Sequence, residues 1–190
     1  MSFECQQQGL SDITTVRGGV SCQGELEQGY RLCLWSRVAS RVLLRLHTFS
    51  LHDHDQLYRG VQEVDWQRQL DERGSIAVDV KTSHREISNS HFAALKIKDA
   101  IVDQFRRESQ HRPDVKLKRP DVRINAYIDK QECSLYLDLS GEPLHQRGYR
   151  KSAGAAPLKE NLAAAILLRS RWPEMAAEGR ALVDPLCGSA

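Results

Sequence analysis

Long apolar runs are missing from this chain. No stretch approaches the roughly 20 residues that cross a bilayer, and residues 1–10 lack the basic-then-apolar order of a secretion leader. Insertion and export are therefore not expected. Closely spaced cysteine pairs are missing too. The five cysteines, Cys5, Cys22, Cys33, Cys133 and Cys187, are odd in number and widely separated. That spacing argues against a CxxC zinc site, a redox motif or a disulfide framework, and points to reduced thiols in the cytoplasm. No Ser/His/Asp or Cys/His order and no carboxylate pair assigns catalytic roles, so no catalytic residue is expected. The run His52-Asp53-His54-Asp55 has metal-binding residue types, but in an extended segment its histidines and aspartates face opposite ways. A polar surface loop is expected there, and no metal. Charge of one sign is lacking as well: the net charge is +2 over 190 residues, so binding to an anionic partner has to rest on where the charges lie.

A mixed composition of ordinary apolar content can bury a core of one large or two small domains. Residues 13–22 read as two short strands broken by Gly18-Gly19. A helix over about 25–37 follows, with Leu26, Tyr30, Leu34 and Val38 on one face, then a half-buried strand over 41–49. Residues 1–10 are too short and Gln-rich for a further strand and helix. A second block begins with a short helical stretch over 60–66 and a strand in which Ile76, Val78 and Val80 alternate with polar residues. A long helix capped by Asn89 or Ser90 runs to about Glu108. Alternation over 122–128 and 135–139 gives an antiparallel hairpin. Residues 141–149 read as loop. An apolar helix is expected from Pro157 to a stop at Trp172-Pro173, needing more cover than the chain offers, and residues 181–183 as a short strand. The fold class is α+β, with helices on a mainly antiparallel sheet.

Positive charge concentrates over 106–123, where seven Lys or Arg face Glu108, Asp114 and Asp121. Arg112, Lys116, Lys118, Arg119 and Arg123 would line the loop after the long helix and the start of the next strand, either as a solvated loop or as a surface that contacts phosphates without reading bases. On that helix Leu95, Ile97, Ala94, Ile101, Val102 and Phe105 form one apolar arc, into which Lys98 falls. Its ammonium either snorkels to water or holds a phosphate beside the sheet; Lys96 lies on the opposite, polar side. Asp184-Pro185-Leu186-Cys187-Gly188-Ser189 reads either as a plain turn or as a small-residue loop that lets the backbone approach a ligand.

Several motifs in a fixed order resemble a known family. The stretch from Ser83-His84 to Gly141 resembles a THUMP domain, with His91-Phe92-Ala-Ala-Leu-Lys-Ile-Lys-Asp-Ala-Ile-Val-Asp103 at its centre and Leu135-Tyr-Leu-Asp-Leu-Ser-Gly141 at its end. Tyr30-Arg-Leu-Cys-Leu-Trp-Ser-Arg37, Leu144-His-Gln-Arg-Gly-Tyr-Arg150, Ala156-Pro-Leu-Lys-Glu-Asn-Leu-Ala163 and Asp184-Pro-Leu-Cys-Gly-Ser189 resemble the N-terminal part of bacterial large-subunit (23S) ribosomal RNA guanine-N2 methyltransferases. The resemblance implies a partial ferredoxin-like domain over 1–55, a THUMP RNA-binding domain over 56–141, and the linker, helix and first strand of a Rossmann-like methyltransferase domain over 142–190. It implies S-adenosylmethionine as cofactor, with Asp184, Pro185, Cys187, Gly188 and Ser189 in the first cofactor loop, and Arg147 and Tyr149 near the cofactor's methionine end. It implies ribosomal RNA as partner, with Lys96, Lys98, Lys116, Lys118, Arg119 and Arg123 as RNA contacts.

Ala190 stands where the family loop has its next glycine, and the family's Asn-Pro-Pro-Tyr motif is not found. The chain alone is therefore expected to bind RNA without catalysing transfer and without holding the cofactor. One half of a split enzyme, whose partner chain supplies the remaining methyltransferase domain, and a degenerate remnant are the alternatives.

Overall fold

The computed structural model describes residues 1–108, 111–149 and 158–185. In chain order its elements are α1 (Ser2–Gln7), β1 (Ser11–Val16), β2 (Gly19–Gln23), α2 (Leu26–Trp35), β3 (Leu43–Ser50), α3 (His54–Gln62) and a 3-10 turn, Trp66–Arg68. There follow β4 (Ser75–Thr82), α4 (Ser90–Glu108), β5 (Asp114–Val115), β6 (Val122–Asp129), β7 (Glu132–Asp138), α5 (Glu160–Arg169) and α6 (Trp172–Ala177). They divide into two compact units, Met1–Val42 with Glu142–Ala190, and Leu43–Gly141.

In the first unit β1 and β2 pair antiparallel around Gly18, whose φ of +81° suits a residue without a β-carbon. A capping box starts α2: the Glu25 N–H donates to Gln28 Oε1 at 2.7 Å while the Glu25 carboxylate takes a first-turn N–H. Gln28 Nε2 also donates to the Gly9 carbonyl at 2.9 Å, tying α2 to the end of α1. The far end of α2 is held by the buried Glu4, which accepts from Ser36 Oγ at 2.6 Å and from the Arg37 N–H at 3.1 Å. Residues 1–10 thus supply the helix α1, not expected from their composition. The stripe Leu26, Tyr30 and Leu34 is exposed, and Leu32 is the buried residue of α2. Helical spacing marks a stripe, but burial requires an element packed on it, and among the described residues of this unit α2 is fixed by its ends. No residue of α5 is buried. Trp172-Pro173 opens α6, with Pro in its first turn, where a missing N–H costs nothing. Residues 181–183 pair with no strand, and Leu182 and Val183 are exposed.

The second unit is a five-stranded sheet of order β3-β7-β6-β4-β5, antiparallel from β3 to β6 and parallel from β6 to β5. The strand placed by sequence in the first block is its edge, paired with β7 from Leu43↔Asp138 to Ser50↔Glu132 with a bulge between Arg45 and His47. Its neighbour helix α3 begins earlier than the sequence suggests, because Asp53 caps it by accepting from the Gln56 N–H at 2.7 Å. The His52–Asp55 run is therefore a helix start.

Gly60 of α3 lies so close to β3 that a β-carbon there would overlap the Phe49 ring. The long helix α4 starts where Asn89 Oδ1 accepts from the Phe92 N–H at 3.0 Å. Ala93, Ile97, Ala100, Ile101 and Phe105 form its buried face, whereas Leu95 is 41% exposed and lies off the predicted arc. These residues pack with Leu57, Val61 and Trp66 onto Ile76, Ile124, Ala126, Ile128 and Leu135.

Candidate nucleic-acid interface

The candidate phosphate-binding residues sit on helix α4 and on the segment from β5 into β6. Edge strand β5 is short, and residues 116–121 cross from it to β6 as a loop. Four bonds hold that loop: the Lys116 N–H donates to the Ile76 carbonyl at 3.0 Å, Arg123 donates to the Leu117 carbonyl at 3.1 Å, and Asp121 Oδ2 accepts from the Ser75 hydroxyl and N–H at 2.6 and 2.8 Å. Pinned this way, the loop exposes Lys116, Lys118 and Arg119. Arg119 adopts φ +48°, a conformation that side chains disfavour and that the fixed loop ends maintain. Three adjacent cations on a rigid backbone suit phosphate groups.

Arg123 has a different part from the one its sequence neighbourhood suggests. Its guanidinium reaches Asp79 Oδ2 at 2.6 Å as well as the Leu117 carbonyl, and the side chain is only 18% exposed. It positions the loop and does not offer a free cation. Lys98 lines a 230 Å³ cleft with Arg106, Arg112, Pro113 and Val115, next to the start of the loop, but its ammonium lies 2.6 Å from Asp99. Asp103 and Asp114 line the same cleft and offset its cations. Lys96, about 200° around the helix from Lys98, places its ammonium 5.9 Å from the centre of the Phe92 ring. The structure therefore places Lys98 in a cleft that reaches Val115, the residue before Lys116, and Lys96 is not among the residues lining that cleft.

The two Ser75 bonds, with Lys116 nearby, hold the Asp121 carboxyl below the usual aspartate range. A lowered folded-state value means that its contribution is present above the ordinary value of 3.8 and is lost as the pH falls through the lowered one. Replacing Asp121 with Ala, which removes the acceptor of both Ser75 bonds, is expected to speed amide hydrogen exchange in residues 116–121 at pH 7 by about tenfold or more, the scale of one lost hydrogen bond. Equal protection in the two proteins would show that Ser75 and Asp121 do not hold the loop. Burial pushes Cys133 up to about 12 and Cys5 up to about 11, so neither is a reactive thiolate.

The candidate cofactor residues belong to the first unit. Arg147 donates to the Leu34 and Ser36 carbonyls at 3.1 and 2.8 Å, a cation on the C-terminal end of α2. With Tyr149 it lines a 640 Å³ cavity that also touches Trp35, His145 and Asn161. Asp184 and Pro185 are exposed; Cys187, Gly188 and Ser189 lie outside the described residues. The four described positions do not converge on a closed cradle: Arg147 is engaged by backbone, and Tyr149 is 65% exposed.

Sequence reasoning passed over Ser75, Asp79 and Asp121. No local spacing points to them, since the Asp79–Arg123 and Ser75–Asp121 contacts span 44 and 46 residues.

Fold and loop together define an α+β protein built around a THUMP domain. The THUMP domain model matches residues 52–138, an RlmL ferredoxin-like domain matches 1–43, and an RMKL-like methyltransferase domain matches 147–190. The chain is similar along its whole length to the N-terminal quarter of ribosomal RNA large subunit methyltransferases K/L. It is 52% identical over 189 residues to the one from Syntrophotalea carbinolica, covering 100% of this chain and 26% of that protein.

Two solved structures share the architecture. SMU.472, a putative methyltransferase complexed with SAH, superposes with a TM-score of 0.77 at 28% identity, over 90% of this chain and 45% of that one. A predicted N6-adenine-specific DNA methylase from Listeria monocytogenes does so with a TM-score of 0.76 at 29% identity, over 88% and 44%. No described helix is long and apolar enough to cross a membrane.

Proposed function

We propose that this chain recognises RNA for a guanine-N2 methyltransferase of large-subunit ribosomal RNA, in the cytoplasm, and that binding is its own activity. The rigid loop presenting Lys116, Lys118 and Arg119 carries this reading, because fixed cations on a THUMP domain are what a phosphate backbone requires. Methyl transfer from S-adenosylmethionine belongs to the whole protein, of which relatives four times as long are the pattern. Support for that division comes from the first unit, where the described cofactor candidates are exposed or bound to backbone. Lys98 and Lys96 assist as secondary phosphate contacts, and Arg123 acts by holding the loop. The pairing of β3 with β7 supports a domain boundary at residues 42–43 in this reading.

The test is titration of the chain with a folded fragment of large-subunit ribosomal RNA between 50 and 200 mM salt, with calorimetry against SAH alongside. Affinity that falls steeply with salt, and no heat with SAH, is the expected pair of results. Salt-independent or absent RNA binding by a folded sample would sink the RNA reading. Heat with SAH alone would instead favour a working cofactor site in this chain, and one half of a split enzyme would show it only with its partner chain.

A further inference from the structure

The sheet of the second unit has a face that its own helices do not use. α3 and α4 pack on the side carrying Ile76, Ile124, Ala126 and Leu135, and alternate residues project to the other side. There the register sets Asn125 of β6 opposite Tyr136 of β7, with Arg45 of β3 beyond Tyr136 and Asp79 of β4 on the other flank. Tyr127, two residues along β6, meets Tyr136 edge to face at 5.5 Å between centroids and 88° between planes. In that geometry each pair leaves flat ring surface unoccupied. The Lys81 ammonium lies 5.5 Å from the Tyr127 ring centre.

Asn125 has the feature that asks for a ligand. It is 9% exposed, and its Nδ2 has no hydrogen-bond partner. A buried amide with unused donors costs free energy until something accepts from it. Among the described residues Lys81 and Arg45 stand in no ion pair, Asp79 on the same face is taken up by Arg123, and Asp129 and Glu132 lie at the hairpin end of the face. Arg123 makes the face continuous with the basic loop, since it projects from β6 on this side and its guanidinium donates to the Leu117 carbonyl.

We propose that this sheet face is a stacking platform for unpaired bases of RNA. Tyr127 and Tyr136 take the base faces, Asn125 donates to a base acceptor, and Lys81 and Arg45 neutralise the strand's phosphates. Rings on a sheet with cations at the edge suit a flexible strand, whose bases can splay, better than a duplex, whose bases are stacked. A protein surface fits less well, because Thr48 and Ser134, hydrogen-bonded to each other at 2.9 Å, make part of the face polar. The inference rests on the RNA-binding reading and extends it from phosphates to bases.

Three RNAs separate the two: a blunt hairpin, the same hairpin with a four-adenosine 3′ tail, and a single-stranded octa-adenosine. In wild type the tail is expected to tighten binding about tenfold, the scale of base stacking on an aromatic side chain. Tyr127→Ala with Tyr136→Ala should erase that gain and leave hairpin affinity unchanged; Tyr127→Phe with Tyr136→Phe should keep it. Far-ultraviolet circular dichroism confirms that each variant is folded. A tail gain that survives the double alanine variant, or none in a wild type that binds the hairpin, overturns the platform. If wild type binds octa-adenosine in a tyrosine-dependent way but not the hairpin, the loop reading fails and the platform stands. Binding to none of the three overturns both.

Discussion

Reversing Lys116 and Lys118 together to glutamate is expected to weaken binding to a folded ribosomal RNA fragment by about fifty-fold near 100 mM salt, and to flatten the dependence of log affinity on log salt by about 1.5. Both figures follow from releasing the counterions of two phosphates per complex. The change should be nearly uniform across RNA sequences, because ammonium groups on a loop read no base edges. Stability should hardly move: both side chains are exposed, and the loop is held through the Lys116 backbone and through Ser75, Asp121 and Arg123. A variant that binds as well as wild type with an unchanged slope would remove the loop from the interface.

Replacing Trp66 with Ala is expected to have the largest effect on folding. The side chain is fully buried between α3 and α4, its indole N–H donates to the Val61 carbonyl at 2.8 Å, and its backbone N–H donates to Gln104 Oε1 at 2.9 Å. Truncating a buried tryptophan costs about 3–5 kcal/mol, against a total stability of about 5–15 kcal/mol for a domain. The melting temperature of the second unit should fall by roughly 15–30 °C. The Val61 carbonyl also loses its indole donor and keeps the longer bond from the Val64 N–H at 3.4 Å. Tracking the melt by amide exchange in β4 and β6 reads this unit separately, and a shift of less than a few degrees would mean that Trp66 packs loosely.

Period and caps made the second unit readable in advance. The hairpin of β6 and β7, the strand β4 and the helix α4 with its Asn89 cap all lie close to where alternation and helical spacing put them. Each has a buried face opposite a wetter one, so its pattern is written within a few adjacent residues. The first unit was less readable. Leu26, Tyr30 and Leu34 have helical spacing yet face outward, and Glu4, a charged residue in a Gln-rich segment, is the buried anchor of α1. Glu4 becomes intelligible only once Ser36 and Arg37, more than thirty residues away, are seen beside it.

The same limit applies to the candidate interface. Positive charge over 106–123 was visible as composition, and the exposed trio Lys116, Lys118 and Arg119 lies within it. Composition did not reveal that Arg123 is engaged by Asp79, or that Lys98 lies beside Asp99. Which cation is available depends on carboxylates brought in by the fold, and no spacing rule in a single sequence encodes them.

The pairing of Leu43 with Asp138 fixes where the chain enters and leaves the second unit. Opposed residues of an antiparallel pair lie only about 5 Å apart, so the two ends of Leu43–Gly141 leave this unit side by side. A module attached in this way can be excised and bridged by a short turn, or grafted into a surface loop of an unrelated host, without asking either framework to stretch.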